Sequence, residues 1–153
     1  MGLQRLRQWI DSLRGRNHST RVSMHDGARS DHLYVDLEVC DSTGQRQDTR
    51  IGYALGPATT ISLRIPALSF YEEATTTDLW DALLTVRRRL ERRGYLLLCN
   101  ACRRDCHPSP DAPAMDLVAH TPAGSSSVEW CYMFDAADAD LVGTIAQQQR
   151  LRR

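Results

Sequence analysis

The sequence predicts an α+β fold: a single domain built on a mainly antiparallel sheet of about five to six strands, with helices packed on one face. Three observations carry this expectation. Apolar residues alternate with polar ones along most of residues 33–65, they recur at helical spacing between Leu79 and Leu90, and the alternation returns between Met115 and Phe134. Sheet stretches and helical stretches therefore come in blocks, rather than in the strict alternation that marks a parallel sheet. At 153 residues, 42% of them hydrophobic and 25% charged, the chain suits one domain with its own core.

Taken in order, Leu3, Leu6, Ile10 and Leu13 repeat at helical spacing with Trp9 alongside, so residues 1–14 are expected as an amphipathic helix. Arg5, Arg7, Arg14 and Arg16 lie around it, but Asp11 and the narrow apolar stripe favour docking on the chain's own domain over a membrane surface. Residues 15–31 carry few apolar side chains and many turn formers, and are expected as a loop or linker before an α+β domain spanning 32–149.

Within that domain Leu33, Val35, Leu37 and Val39 point one way while Tyr34, Asp36, Glu38 and Cys40 point the other, as in a half-buried strand. Asp-Ser-Thr-Gly at 41–44 supplies turn chemistry. Ile51, Tyr53 and Leu55 form a second alternating set and Ile61, Leu63 and Ile65 a third, separated by Gly56-Pro57. A three-stranded antiparallel meander with one wet face is expected. A helix follows, capped by Thr77 or Asp78, with Leu79, Leu83, Val86 and Leu90 as its stripe, Arg87 and Glu91 as an i,i+4 pair, and Gly94 as its stop. Arg88, Arg89, Arg92 and Arg93 crowd its last turns, where the carbonyl end of the helix dipole favours cations, so the run needs no nucleic acid to explain it.

Tyr95–Cys99 has the length of a buried strand, and the stretches 115–121 and 128–134 read as a hairpin in which Val128, Trp130, Tyr132 and Phe134 share a face. The remainder is expected to be helical in two pieces, the second opened by a capping box of Thr144 and Gln147.

Chemistry is sparse. The 19 basic and 19 acidic side chains cancel, so no global field draws nucleic acid or an anionic membrane. All 19 basic residues are arginine, which fits a coding bias better than selection for recognition. No apolar run approaches the ~20 residues of a membrane span, and the N-terminus lacks the pattern of a secretory signal, so the cytoplasm is the expected compartment. A Gly-rich phosphate loop, a nucleophile elbow and an H-E-x-x-H motif are all missing, and no cofactor is expected. Asp116 and His120 stand four positions apart on one putative strand, about 13 Å by the usual rise, too far for a joint catalytic role. An RNA-binding sheet using Tyr34, Tyr53 or Trp130 is disfavoured by the neutral charge.

The densest chemistry lies at residues 96–110, LLLCNACRRDCHPSP. Cys99, Cys102, Cys106 and His107 are ligand types for zinc, but Cys106 and His107 are adjacent and would strain to bind one ion, and Cys99 ends a strand rather than opening a helix that would activate a thiol. Core and turn cysteines are the favoured reading, with a metal site and a functional thiol as alternatives. The polar set Asn100, Arg103, Arg104 and Asp105 at the exit of this strand is the candidate binding site, since loops held on a sheet often bind, although Arg103 and Asp105 equally suit a structural turn.

Residues 94–109, GYLLLCNACRRDCHPS, resemble a segment G-[WY]-x-L-L-x-N-[GA]-x-R-x-D-x-x-P-S of small uncharacterised bacterial proteins, mainly actinobacterial. Val-Gly-Thr at 142–144 followed by Gln148 resembles the V-G-T-x-x-x-Q ending of the same proteins. The resemblance covers residues 77 to 149 and carries no activity with it. Asn100, Arg103, Asp105, Pro108 and Ser109 match; Cys99, Cys102 and Cys106 stand where small apolar residues are expected, and His107 where an aromatic is expected. The PDAPAMD stretch after Ser109 departs from the pattern's glycine-rich turn. Together these readings lead to the expectation of a non-enzymatic cytoplasmic protein-binding domain whose partner is another protein, such as an immunity or accessory factor of a toxin or secretion system. The alternative is a metal- or thiol-dependent function centred on Cys99, Cys102, Cys106 and His107.

Overall fold

The structure, a computed structural model, describes residues 32–108, 116–122 and 124–151. The expected N-terminal helix, the linker 15–31 and most of PDAPAMD lie outside the described residues. The α+β class is the one observed, with the strands divided between two sheets. Strands β1 (Leu33–Asp41), β2 (Arg46–Ala54), β3 (Thr59–Ile65), β4 (Phe70–Thr76) and β5 (Tyr95–Leu97) form an antiparallel sheet in the order β4-β3-β2-β1-β5.

Local chemistry explains the connections. The Asp41 carboxylate closes the β1–β2 turn by accepting from the Thr43 amide at 2.9 Å, the Thr43 hydroxyl at 2.6 Å and the Gln45 amide at 3.0 Å. Gly44 beside it takes φ +84°, a left-handed conformation that suits glycine. A 3-10 turn over Pro66–Leu68 leads into β4. That strand adds a fourth member to the expected meander. It was hard to read because its inward positions, Phe70, Glu72, Ala74 and Thr76, include only two apolar residues; Glu72 bonds to Arg89 instead of packing.

Helix α1 (Leu79–Arg92) lies across the inner face of this sheet. Asp78 is the cap, its carboxylate accepting from the Asp81 amide at 2.9 Å, and Gly94 follows the last turn at φ +84°. Leu79, Leu83, Val86 and Leu90 are buried against Ile51, Ile61, Leu63 and Ile65 in one cluster. Full burial of a leucine such as Leu83 stabilises by about 1.5–3 kcal/mol, which is why the stripe rather than helix propensity fixes α1 here.

The second sheet holds β6 (Cys106–His107), β7 (Leu117–His120) and β8 (Glu129–Tyr132), in the order β6-β7-β8, so the expected hairpin forms but pairs away from the large sheet. The two sheets meet where Leu98 donates to Glu38 O, Ala137 donates to Leu98 O and Ala101 donates to Met133 O. Tyr53 packs its ring 4.9 Å from Phe134 and donates its hydroxyl to Asp116 at 2.7 Å. The first of the two expected C-terminal helical pieces is not a helix: residues 135–142 run as turns, bridged at Cys99–Ala136 and Arg103–Val142. Asp135, Ala137 and Leu141 make backbone bonds to Asn100, Leu98 and Arg104 of the loop after β5, so the segment does not close on itself as a helix. The second piece is α2 (Ile145–Arg150), opened by the Thr144–Gln147 capping box. Cys40 is also buried, contrary to its assignment to the wet face, because β5 and the chain after it cover that end of β1. No helix among the described residues is long and apolar enough to cross a membrane.

Candidate functional site

The loop after β5 turns immediately at Asn100–Cys102, a 3-10 turn in which the Cys102 amide donates to Cys99 O at 3.0 Å. Every polar residue of the expected binding set is engaged within the protein. Asn100 donates its side-chain amide to Tyr132 O at 3.2 Å. Arg103 grips Asp105 with two parallel bonds, Nε to Oδ1 at 2.9 Å and Nη2 to Oδ2 at 2.8 Å. This guanidinium, more than the loss of solvent opposes it, holds the Asp105 carboxyl below its ordinary range. His120 Nε2 lies 3.0 Å from Asp105 Oδ2 and 3.1 Å from Arg103 Nη2; it can donate to the first or accept from the second, and not both at once. Arg104 bonds to Asp140 O through Nη2 and to Leu141 O through Nε at 3.5 Å, tying its loop to residues 138–142.

What encloses this loop is a buried polar clamp that the sequence reading did not single out. Arg87 and Gln148 are each 2% exposed. Arg87 donates to Gln148 Oε1 at 2.8 Å and Gly143 O at 3.1 Å, and lies 3.2 Å from Glu91 Oε1. Glu91 in turn accepts the Ile145 amide. The Gln148 amide nitrogen is surrounded by three carbonyl oxygens, Ala101 O at 2.9 Å, Arg103 O at 2.7 Å and Cys106 O at 2.9 Å, so its two N–H groups are shared among three acceptors. Gly143 has no room for a side chain: a Cβ there would fall 2.6 Å from Arg104 Cγ and 2.7 Å from Gln147 Oε1. The described part of the first stretch that carries the resemblance, 94–108, thus meets the second, 142–148, in space. A signal was present, since Arg87 occupies a position of the apolar stripe between Leu83, Val86 and Leu90, where a charge must find a partner.

The cysteines separate into pairs. Cys99 and Cys102 are both buried, with sulfurs 3.6 Å apart. Burial, then the bond to Cys102, push the Cys99 thiol well up. Burial also opposes ionisation at Cys102, but the Cys99 hydrogen bond and the positive field of Arg87 outweigh it and bring this thiol below its ordinary value. Cys106 lies with Cys131 instead: the bond it gives to Cys131, reinforced by burial, raises Cys106, and the same bond lowers Cys131. Cys106 and His107 are successive strand residues and so project to opposite faces. His107 Nδ1 lies 3.3 Å from Pro108 O. Among the described residues no group of three or more His, Cys, Asp or Glu is placed to hold a metal ion.

A second candidate region is the outer face of the large sheet. Gly52 forms its floor: a Cβ there would fall 2.8 Å from Tyr34 Cε1 and 2.9 Å from Ser62 Oγ, so the Tyr34 ring lies across the glycine. Around it stand Arg50, paired with Asp36 at 2.7 Å, Arg46, paired with Glu38 at 2.8 Å, and Arg64, in register with Tyr71. Tyr71 is 59% exposed and donates to Glu73 at 2.6 Å, a bond that raises its phenol above the ordinary value. Tyr53, by contrast, is buried in the core and offers no surface for a base. No protein-family model, curated protein or solved structure matches this chain.

Proposed function

We propose that this domain is a non-enzymatic protein-binding module and that it binds through the outer face of the large sheet. The observation that carries the reading is the composition of that face: Tyr34 and Tyr71 with Arg50 and Arg64 over a glycine floor, side chains of the kind that dominate binding energy in protein interfaces. The face carries both signs, with Asp36 paired to Arg50, Glu38 to Arg46 and Glu73 bonded to Tyr71, while Arg50 and Arg64 stand directly opposite one another; this mixture fits a folded protein of complementary pattern better than a polyanion. The engagement of Asn100, Arg103, Arg104 and Asp105 in internal bonds moves the preferred surface away from their loop. A toxin or a secretion component is the partner class we carry forward for such an accessory or immunity domain.

The test is affinity capture from the native lysate with three forms of the full chain. Wild type should retain one stoichiometric partner, Arg64→Glu should lose it, and Arg88→Glu, on exposed helix surface, should keep it. Equal retention by Arg64→Glu and wild type sinks the assignment of the face, and no partner with any form sinks the reading itself.

A further inference from the structure

We propose that Cys99 and Cys102 form an oxidisable dithiol, a modification site at which hydrogen peroxide generates an intrachain disulfide. The proposal stands apart from the binding face. Its basis is geometric: the two sulfurs lie 3.6 Å apart, and the residues are three apart in a turn closed by the Cys102 amide on Cys99 O at 3.0 Å. Such a turn holds its end Cα atoms within about 7 Å, inside the range a disulfide spans. Closure to bonding distance, about 2.05 Å, asks for a shift of the sulfurs and no rearrangement of strands. Cys106 and Cys131 also share a hydrogen bond, but they sit on β6 and β8 with β7 between them, so their backbones are two strand spacings apart, roughly 9–10 Å, beyond the reach of a disulfide without backbone movement.

The roles of the two thiols differ. Cys102 is the nucleophile, because the Cys99 thiol donates a hydrogen bond to its sulfur and the Arg87 guanidinium favours a thiolate there. The Cys102 thiolate attacks one peroxide oxygen, the O–O bond breaks, and the departing hydroxide takes up a proton to leave as water, giving a sulfenic acid. The Cys99 sulfur then attacks the Cys102 sulfur, the S–O bond breaks, and the hydroxide leaves with the Cys99 proton as a second water. Two thiols and one peroxide become one disulfide and two waters.

Access is governed by the clamp. Cys99 is 0% and Cys102 1% exposed, so peroxide reaches them only when the cover opens locally. That cover includes the segment from Val142 to Gln148: the Gly143 amide donates to Cys102 O at 3.1 Å, and Gln148 holds the carbonyls of Ala101 and Arg103 on either side of Cys102. Oxidation therefore reports on the fastening of α2.

The experiment exposes the reduced full chain to hydrogen peroxide, quenches with an alkylating agent, and maps cysteines by mass spectrometry after trypsin. Cleavage after Arg93 and Arg103 releases Gly94–Arg103, which contains both residues and no other cysteine. The expected product is this peptide, unalkylated and lighter by two hydrogens. Cys99→Ser should leave Cys102 as a sulfenic acid that dimedone traps. Gln148→Ala should form the same disulfide about tenfold faster, through easier opening. A peptide that stays fully alkylated while Cys131 is oxidised, or a disulfide from Cys102 to any other cysteine, overturns the proposal. An unchanged rate in folded Gln148→Ala overturns the role of the clamp. The wild-type map decides the site itself even if that variant fails to fold.

Discussion

The outer face of the large sheet and the clamp around Gln148 are both polar, yet they are held together in opposite ways. On the sheet the partners are near neighbours across strands, such as Arg46 with Glu38, and each pair stands in water. In the clamp Arg87 and Gln148 are sixty-one positions apart and almost fully buried, and they bond to each other, to Gly143 O and to the carbonyls of Ala101, Arg103 and Cys106. Water replaces a lost partner on the sheet at little cost, whereas nothing replaces one inside the clamp. The first region is therefore free to change partners; the second holds the loop of Asn100–Asp105 in one place.

Urea denaturation can break this comparison. The largest expected effect is that of Arg87→Met, which leaves Glu91 without its cation and two carbonyl-type oxygens without a donor: a loss of about 3–5 kcal/mol. Gln148→Leu should follow at about 2–3 kcal/mol, since three buried carbonyls lose their shared donor. Gly143→Ala should cost about 1–3 kcal/mol, because Arg104 and Gln147 must move to admit the methyl group. At the other end, Glu38→Gln on the sheet should change stability by no more than about 0.5 kcal/mol, and less still at high salt. If Glu38→Gln proves as damaging as Gln148→Leu, the distinction between the two regions fails.

Acid titration sharpens the same contrast at the edge of the clamp. The Asp105 carboxyl is held below its unfolded value, chiefly by Arg103, so its contribution is present above the ordinary carboxylate pKa of about 3.9 and is lost as the pH falls through the lowered folded value. The side chain is 38% exposed, so water screens the pair and the effect is small. Asp105→Asn should flatten the stability profile below about pH 4.

What could be read beforehand follows the same division. The strands of the meander, α1 and its stop at Gly94, and the Thr144–Gln147 capping box rest on neighbouring residues, and periodicity exposes them. Strand β4 escaped because one of its inward positions, Glu72, is satisfied by Arg89 on α1, a partner seventeen residues away. Residues 135–142 looked helical because their apolar and polar residues can be spaced as a helix, but their backbone bonds to Leu98, Asn100 and Arg104 across the chain. Core and turn positions suit the thiols of 96–110, and Cys99, Cys102 and Cys106 are buried; local spacing brings Cys99 and Cys102 together, whereas the meeting of Cys106 with Cys131 depends on strand order, which no spacing encodes. The arginine in the stripe of α1 was visible as an i,i+4 partner of Glu91, while its longer reach to Gln148 was not.

The position of Gln148 in the chain also orders events during synthesis. The strands of the meander follow one another closely and can pair soon after they leave the ribosome. Ala101 O, by contrast, has its donor 47 residues downstream, and at about 5–20 residues per second that is a wait of a few seconds. Throughout that interval Cys99 and Cys102 lack part of their cover, and the nascent chain is more open to an oxidant than the folded protein, which must first open locally.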